Sequence, residues 1–236
     1  MAWFSGSRSA PESPSAATAH RSPSLQSLLA SLPPGSRHVV LDLGPPLAGN
    51  IKFLSALGCR VRIADMQRSL GAEPIESRKP EAMAALIERL MPLAPDEQFD
   101  ALLAWDVFDY LRPDQVSALM ARLTPACRPG ALALVMTSTR RQIPARPVRY
   151  RIVDRETLDC DSPQQPMRPG PQYTQLDLAH MIPGFSVRRS LLLRSGIQEY
   201  LLARDAEGAA KPRGISAIST AARVTSERTW FRRGRR

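Results

Sequence analysis

Three short apolar runs in this chain stop on an aspartate, and a carboxylate fixed at the end of such a run can hold a ligand's donors. The first, His38 to Leu43, contains Asp42 and leads to Gly44; the second, Cys59 to Ala64, ends at Asp65; the third, Phe99 to Trp105, ends at Asp106. Gly44 has no Cβ to keep a ligand away from the backbone. Asn50 stands where the next segment begins, placed to cap free amides or to meet a ligand carboxylate. The stretch after Thr137 adds Arg140, Arg141, Arg146, Arg149, Arg151 and Arg155. Guanidinium groups pair with carboxylate or phosphate through two parallel hydrogen bonds, so these arginines suit an anionic ligand, or else a solvated face balanced by Asp154 and Glu156. No nucleophile stands beside a base, and His20, His38 and His180 lack the partner spacing of a zinc centre.

The acids belong to a repeating plan. Ser24 opens a helical segment in which Leu25, Leu28, Leu29 and Leu32 share one face, stopped by Pro33-Pro34. HVVLDL reads as a strand buried on both faces, followed by a helix over 50–57 and Gly58 at its end. CRVRIA is a second strand, completing a βαβ unit. Met83, Leu86, Ile87 and Leu90 mark another amphipathic helix, and FDALLAW another strand. Pro113 opens a helix with Val116, Leu119, Met120 and Leu123 inward. ALALVMT (131–137) is the most continuous apolar strand and belongs at the sheet centre. Residues 140–171 read as a loop. Thr174 with Asp177 caps a short helix, and 185–193 with 197–203 flank Arg194-Ser195-Gly196 as an antiparallel hairpin. The expected fold is α/β: a doubly wound, mostly parallel sheet closing in that hairpin. Its ligands belong beyond the carboxyl ends of the strands, where strand order reverses.

VLDLGPPLAGNIKFLSALGCRVRIAD resembles the first motif of class I S-adenosylmethionine-dependent methyltransferases, a strand, a glycine-rich turn, a helix and a second strand ending in an acid. FDALLAWDVFDYL and RPGALALVMTS are similar to that family's fourth strand and the turn into its fifth. The resemblance spans residues 38–204 and implies a Rossmann-like methyltransferase fold, S-adenosylmethionine as cofactor and an unidentified methyl acceptor. By position it places Asp42, Gly44, Gly49 and Asn50 around the first turn, with Asp42 and Gly44 by the cofactor's methionine portion. It places Asp65 on the ribose hydroxyls and Trp105 with Asp106 near the methionine or adenine end. The turn departs from the family: Pro46 and Ala48 replace glycines, Gly49 is displaced by one, and proline restricts φ and removes an amide donor. No third strand with its acid is recognisable in 66–98. The rival reading is therefore a non-catalytic protein that keeps the fold for binding or scaffolding.

The chain carries a net charge of +10, half of which lies from Asp205 onward in a segment ending RTWFRRGRR. That segment reads as a basic disordered tail, able to contact nucleic acid or an anionic surface. Residues 1–24 read as a disordered N-terminal tail, which leaves 25–204 as the domain. Cys59, Cys127 and Cys160, odd in number and widely spaced, suit reduced thiols in the cytoplasm. No apolar run reaches the length of a membrane span. Nothing here indicates an oligomeric state.

Overall fold

The computed structural model describes residues 18–66, 68, 80–90, 92–94, 96–161 and 165–206. In chain order its elements are β1 (Thr18–Arg21), α1 (Pro23–Ala30), β2 (His38–Asp42), α2 (Ala48–Ala56), β3 (Cys59–Ile63), α3 (Pro80–Leu90) and β4 (Phe99–Trp105). A 3-10 turn (Val107–Tyr110), α4 (Pro113–Leu123) and β5 (Cys127–Ser138) follow. The remainder is β6 (Gln142–Pro144), β7 (Arg149–Ile152), β8 (Thr157–Asp161), β9 (Met167–Pro169), α5 (Gln175–Met181), β10 (Phe185–Leu192) and β11 (Ile197–Arg204).

Six strands form the main sheet in the order β10-β11-β5-β4-β2-β3. The strands β3, β2, β4 and β5 run parallel, and the β10–β11 hairpin closes the sheet antiparallel to β5. This is the expected Rossmann-like α/β architecture. Both faces are packed, which is why its central strands are apolar at almost every position. Along β5, Ala131, Ala133 and Val135 face one core with Leu119 and Met120, while Leu132, Leu134 and Met136 face the other with Leu25, Leu28 and Leu29. Strand order reverses between β2 and β4, because the chain leaves β2 for β3 on one side and returns to β4 on the other.

Two expectations are corrected. The ordered chain starts before Leu25: β1 pairs with β8, from Thr18 opposite Cys160 to Arg21 opposite Thr157. Helix α1 begins at Pro23 rather than Ser24, and the Ser22 hydroxyl accepts from the Leu25 amide at 3.2 Å to cap it. Buried Glu199 on β11 accepts from the Ser24 amide at 3.2 Å, setting an acid at the positive end of that helix. The second correction concerns residues 140–171, which carry four strands rather than a loop. Strand β7 joins β8 and β1 in one small antiparallel sheet, and β6 pairs with β9 in another. Tyr150, Ile152 and Leu158 of the first small sheet are buried in the same core as α1 and α2. Of the span 66–98, where no third strand is recognisable, the described part carries helix α3 and residues 67, 69–79, 91 and 95 lie outside the described residues; of the basic segment from Asp205, residues 207–236 lie outside them. Among described residues, no helix is long and apolar enough to cross a membrane, and no group of His, Cys, Asp and Glu is gathered to hold a metal ion.

Because β1 and the Ser22 cap are part of the fold, a chain starting at Pro23 should melt several degrees lower than one starting at Thr18. Ser22→Ala alone should cost about 1 kcal/mol, the usual worth of such a cap, measured by urea unfolding.

Candidate functional site

The point where strand order reverses is flanked by Asp42 at the end of β2 and Trp105 at the end of β4. Trp105 ends its strand with φ of 50°, a left-handed backbone that few bulky residues adopt, and the β4–β5 register slips between Leu103 and Trp105. Such a conformation stores about 1–3 kcal/mol of strain, so the surrounding contacts must hold it. They do: the indole Nε1 donates to Asp42 Oδ1 at 2.6 Å, and the same oxygen accepts the Gly44 amide at 2.8 Å. The indole face lies flat on the Tyr150 ring, with centroids 5.5 Å apart and planes 6° from parallel. Trp105 and Asp42 are both 1% exposed. A Cβ on Gly44 would stand 2.8 Å from the indole nitrogen, so the glycine is required by Trp105 itself.

Asn50 is buried at the start of α2 and clamps the neighbouring strand. Its amide nitrogen donates to the Tyr150 carbonyl at 2.9 Å, and its oxygen accepts from the Ile152 amide at 2.8 Å. It does not cap the helix, which begins after Leu47 without a side-chain cap. Asp106 Oδ2 accepts the Val148 amide at 2.8 Å, tying the 3-10 turn to the segment before β7. Gly49 is exposed with open space around it, so nothing near it demands a glycine. Asp65 stands apart at the end of β3, half-buried, its Oδ1 accepting the Arg68 amide at 2.9 Å. The structure thus joins Asp42, Gly44 and Trp105 in one cluster, turns Asn50 and Asp106 to holding the small sheet, and leaves Asp65 at the rim.

Next to this cluster, over the carboxyl ends of β4 and β5, lies a pocket of about 360 Å³. The main sheet supplies its floor through Met136 and Thr137. Its roof comes from the small sheets, with Ile143, Tyr150, Cys160 and Met167, and β1 closes one side with His20. His20 Nδ1 is 3.4 Å from Cys160 Sγ, and burial pushes that thiol up to about 12. Of the six arginines expected to receive an anion, Arg140 alone lines this pocket, together with the carboxyls of Asp106 and Asp109. Arg151 is paired instead with Asp159 at 2.9 Å. The anionic-acceptor expectation is therefore not supported by the pocket's own walls.

Two residues central to this geometry, Tyr150 and Asp109, escaped the sequence reading. Tyr150 had a signal in the alternation Arg149-Tyr150-Arg151-Ile152, exposed and buried in turn, which is the period of a half-buried strand. Asp109 had none, since one acid in a 3-10 turn does not reveal which side is buried.

No protein-family model and no curated protein matches the chain. Among solved structures it is similar to a Burkholderia thailandensis 1,6-didemethyltoxoflavin-N1-methyltransferase, at 18% identity and TM-score 0.44, covering 78% of this chain and 77% of that one. It is also similar to the magnesium protoporphyrin IX methyltransferase of Synechocystis PCC 6803, at 15% identity and TM-score 0.42, covering 77% and 78%. A TehB-like methyltransferase of Corynebacterium glutamicum matches at 12% identity and TM-score 0.42, covering 78% and 88%. Likeness at this level carries no weight for what the chain binds, and the site has to be read from its own residues.

Two measurements test the Asp42 cluster. Gly44→Ala should destabilise the protein by about 1–3 kcal/mol, as overpacking does, and by clearly less when Trp105 is already leucine, because the clash is with the indole. Burial is the largest effect on the Asp42 carboxyl and raises it from 3.8 to about 6, against the opposing Trp105 and Gly44 hydrogen bonds. The folded state then holds a proton that the unfolded state has released. This contribution is full below pH 4 and is lost as pH rises through about 6. Asp42→Asn keeps an acceptor but cannot titrate, so between pH 4 and 7.5 it should gain on wild type by up to about 3 kcal/mol in urea unfolding.

Proposed function

We propose that this chain is a cytoplasmic S-adenosylmethionine-dependent methyltransferase acting on a small acceptor. The observation that carries the reading is the placing of Asp42, Asp65 and Asp106 at the carboxyl ends of three neighbouring parallel strands, around the point of strand reversal, with a separate pocket beside them. Ligands of such sheets bind at that point, and an acid ending the second strand suits a pair of ribose hydroxyls. Asp65 would hold the ribose, and the Asp42–Gly44 turn would lie by the methionine portion. When bound, the cofactor supplies a methyl group on a positively charged sulfur. The protein's contribution is alignment of the acceptor with that methyl, which requires no covalent catalyst. The three free thiols agree with a reducing compartment.

The fit is uneven along the crevice. Asp65 at the rim is suitably placed. At the inner end, Asp42, Gly44 and Trp105 satisfy one another and the Trp105 indole, backed by the stacked Tyr150, fills the space beside Gly44, so cofactor binding there requires the indole to move. The same stack supports a second reading, in which it is a permanent plug and the chain keeps the fold as a binding or scaffold protein, with its basic tail meeting nucleic acid or an anionic surface.

Calorimetric titration with S-adenosylmethionine separates the two. On the enzyme reading the wild type binds, and Asp65→Ala weakens binding by about 1.5–3 kcal/mol, roughly ten- to a hundredfold, with little change in stability. Tyr150→Ala should lower stability yet tighten binding, because affinity is reduced by the fraction of molecules in the closed state. No binding by wild type and by Tyr150→Ala at millimolar cofactor would leave the second reading.

A further inference from the structure

The pocket at the carboxyl ends of β4 and β5 is lined by a carboxyl with one of its two oxygens unmatched. Asp109 sits in the 3-10 turn and is 4% exposed. Its Oδ2 accepts the Ser138 amide at 2.7 Å, which fixes the side chain under the end of β5. Its Oδ1 is buried without a hydrogen-bond partner. Leaving such an atom unmatched costs about 1–3 kcal/mol, so its retention calls for a partner that the described residues do not supply. Ser195 Oγ, in the turn between β10 and β11, is a second buried and unmatched atom on the same pocket. The rest of the lining is largely apolar, with Met136, Ile143, Tyr150 and Met167 among it, and a volume of about 360 Å³ falls in the range of small-molecule sites.

We infer that this pocket takes a small, mostly apolar ligand bearing a basic nitrogen (an amine, amidine or ring nitrogen) held by Asp109 Oδ1. Burial, with the nearby Asp106, pushes the Asp109 carboxyl well above its ordinary range, against the opposing Arg168 charge. A carboxyl in that state offers its proton to a nitrogen lone pair, or gives it up altogether to form an ion pair with a basic group. An anionic ligand can accept only from the protonated carboxyl and is repelled once Asp109 or the neighbouring Asp106 is ionised. Arg140 also borders the site, but its side chain runs over Gly196, where the guanidinium nitrogen Nε would be 3.2 Å from an added Cβ, and the residue is exposed at the rim. The inference rests on the proposed function only in making this ligand the methyl acceptor; binding itself is independent of any cofactor.

Three compounds of nearly equal shape read the charge preference directly: benzamidine, benzamide and benzoate, titrated into the full-length protein without cofactor and followed by NMR shifts and calorimetry. Benzamidine should bind in the millimolar range or tighter, at least tenfold tighter than benzamide or benzoate. Asp109→Asn keeps an acceptor for the Ser138 amide and should remove that preference in a folded protein at least as stable as wild type at neutral pH, since it replaces a carboxyl that burial pushes up. Met167→Trp narrows the pocket from a half-exposed roof position and should weaken benzamidine at least tenfold in a folded protein, which covers the case in which the asparagine variant unfolds. Equal affinity for all three compounds, undiminished benzamidine binding by Asp109→Asn or Met167→Trp, or no benzamidine binding at about 20 mM would overturn the inference, the last marking a water-filled void. Selective benzamidine binding in a protein that takes no S-adenosylmethionine would leave the pocket standing and remove the methyltransferase reading alone.

Discussion

One carboxylate oxygen, Asp42 Oδ1, receives both the Gly44 amide and the Trp105 indole, and much of the molecule's carboxyl edge depends on that meeting. A buried carboxyl would be costly if left unmatched; two donors converging on it make the site tenable and at the same time fix how β2 meets β4. The indole can reach Asp42 only because the end of β4 departs from regular strand geometry. It can lie there only because residue 44 lacks a side chain. With the indole pinned, its free face becomes the surface on which Tyr150 rests, and through Tyr150 the small sheet of β1, β7 and β8 is attached to the main one.

Asn50 and Asp106 extend the same logic from their own strand and helix ends. Each sends a side chain across to a backbone group of the 148–152 segment, so that segment is held at three points: one aromatic stack and two sets of hydrogen bonds. Polar residues standing where a ligand could be bound are here used to hold protein against protein. That use accounts for buried polar groups which would otherwise be difficult to explain in a core of this kind. It also gives the pocket a fixed roof, since the walls contributed by Tyr150 and Cys160 follow wherever that segment is placed.

How much of this could be read in advance followed from the range of the forces involved. The strands β2, β4 and β5 are buried on both faces and show as unbroken apolar runs, and the Thr174 and Asp177 cap is a local hydrogen-bond pattern, so each was legible from neighbouring residues. The placing of Asp42, Asp65 and Asp106 at strand ends came with the strands. Their partners did not. Asn50 meets residues a hundred positions away, and no local pattern distinguishes an asparagine that clamps a distant backbone from one that caps its own helix. The left-handed turn at Trp105 is enforced by contacts rather than by its own preference, which opposes it. Strands β6, β7 and β9 are obscured by the proline or arginine each contains and β8 by its two aspartates, and only the alternation around Tyr150 betrays one of them.

The small sheet has a consequence for how the chain is made. Strand β1 lies near the beginning of the sequence and pairs with β8, with His20 and Cys160 separated by 140 positions. Closing so long a span is entropically unfavourable until the intervening chain is already compact. On a ribosome, β2, α2 and β3 are synthesised and free to pair while β1 still lacks β8, the strand it will join. The segment 18–21 must wait through the synthesis of most of the domain before it has anything to join. The pocket's enclosure is therefore a late event in the life of each molecule, and until it occurs the carboxyl edge of the sheet is open to whatever the cell presents to it.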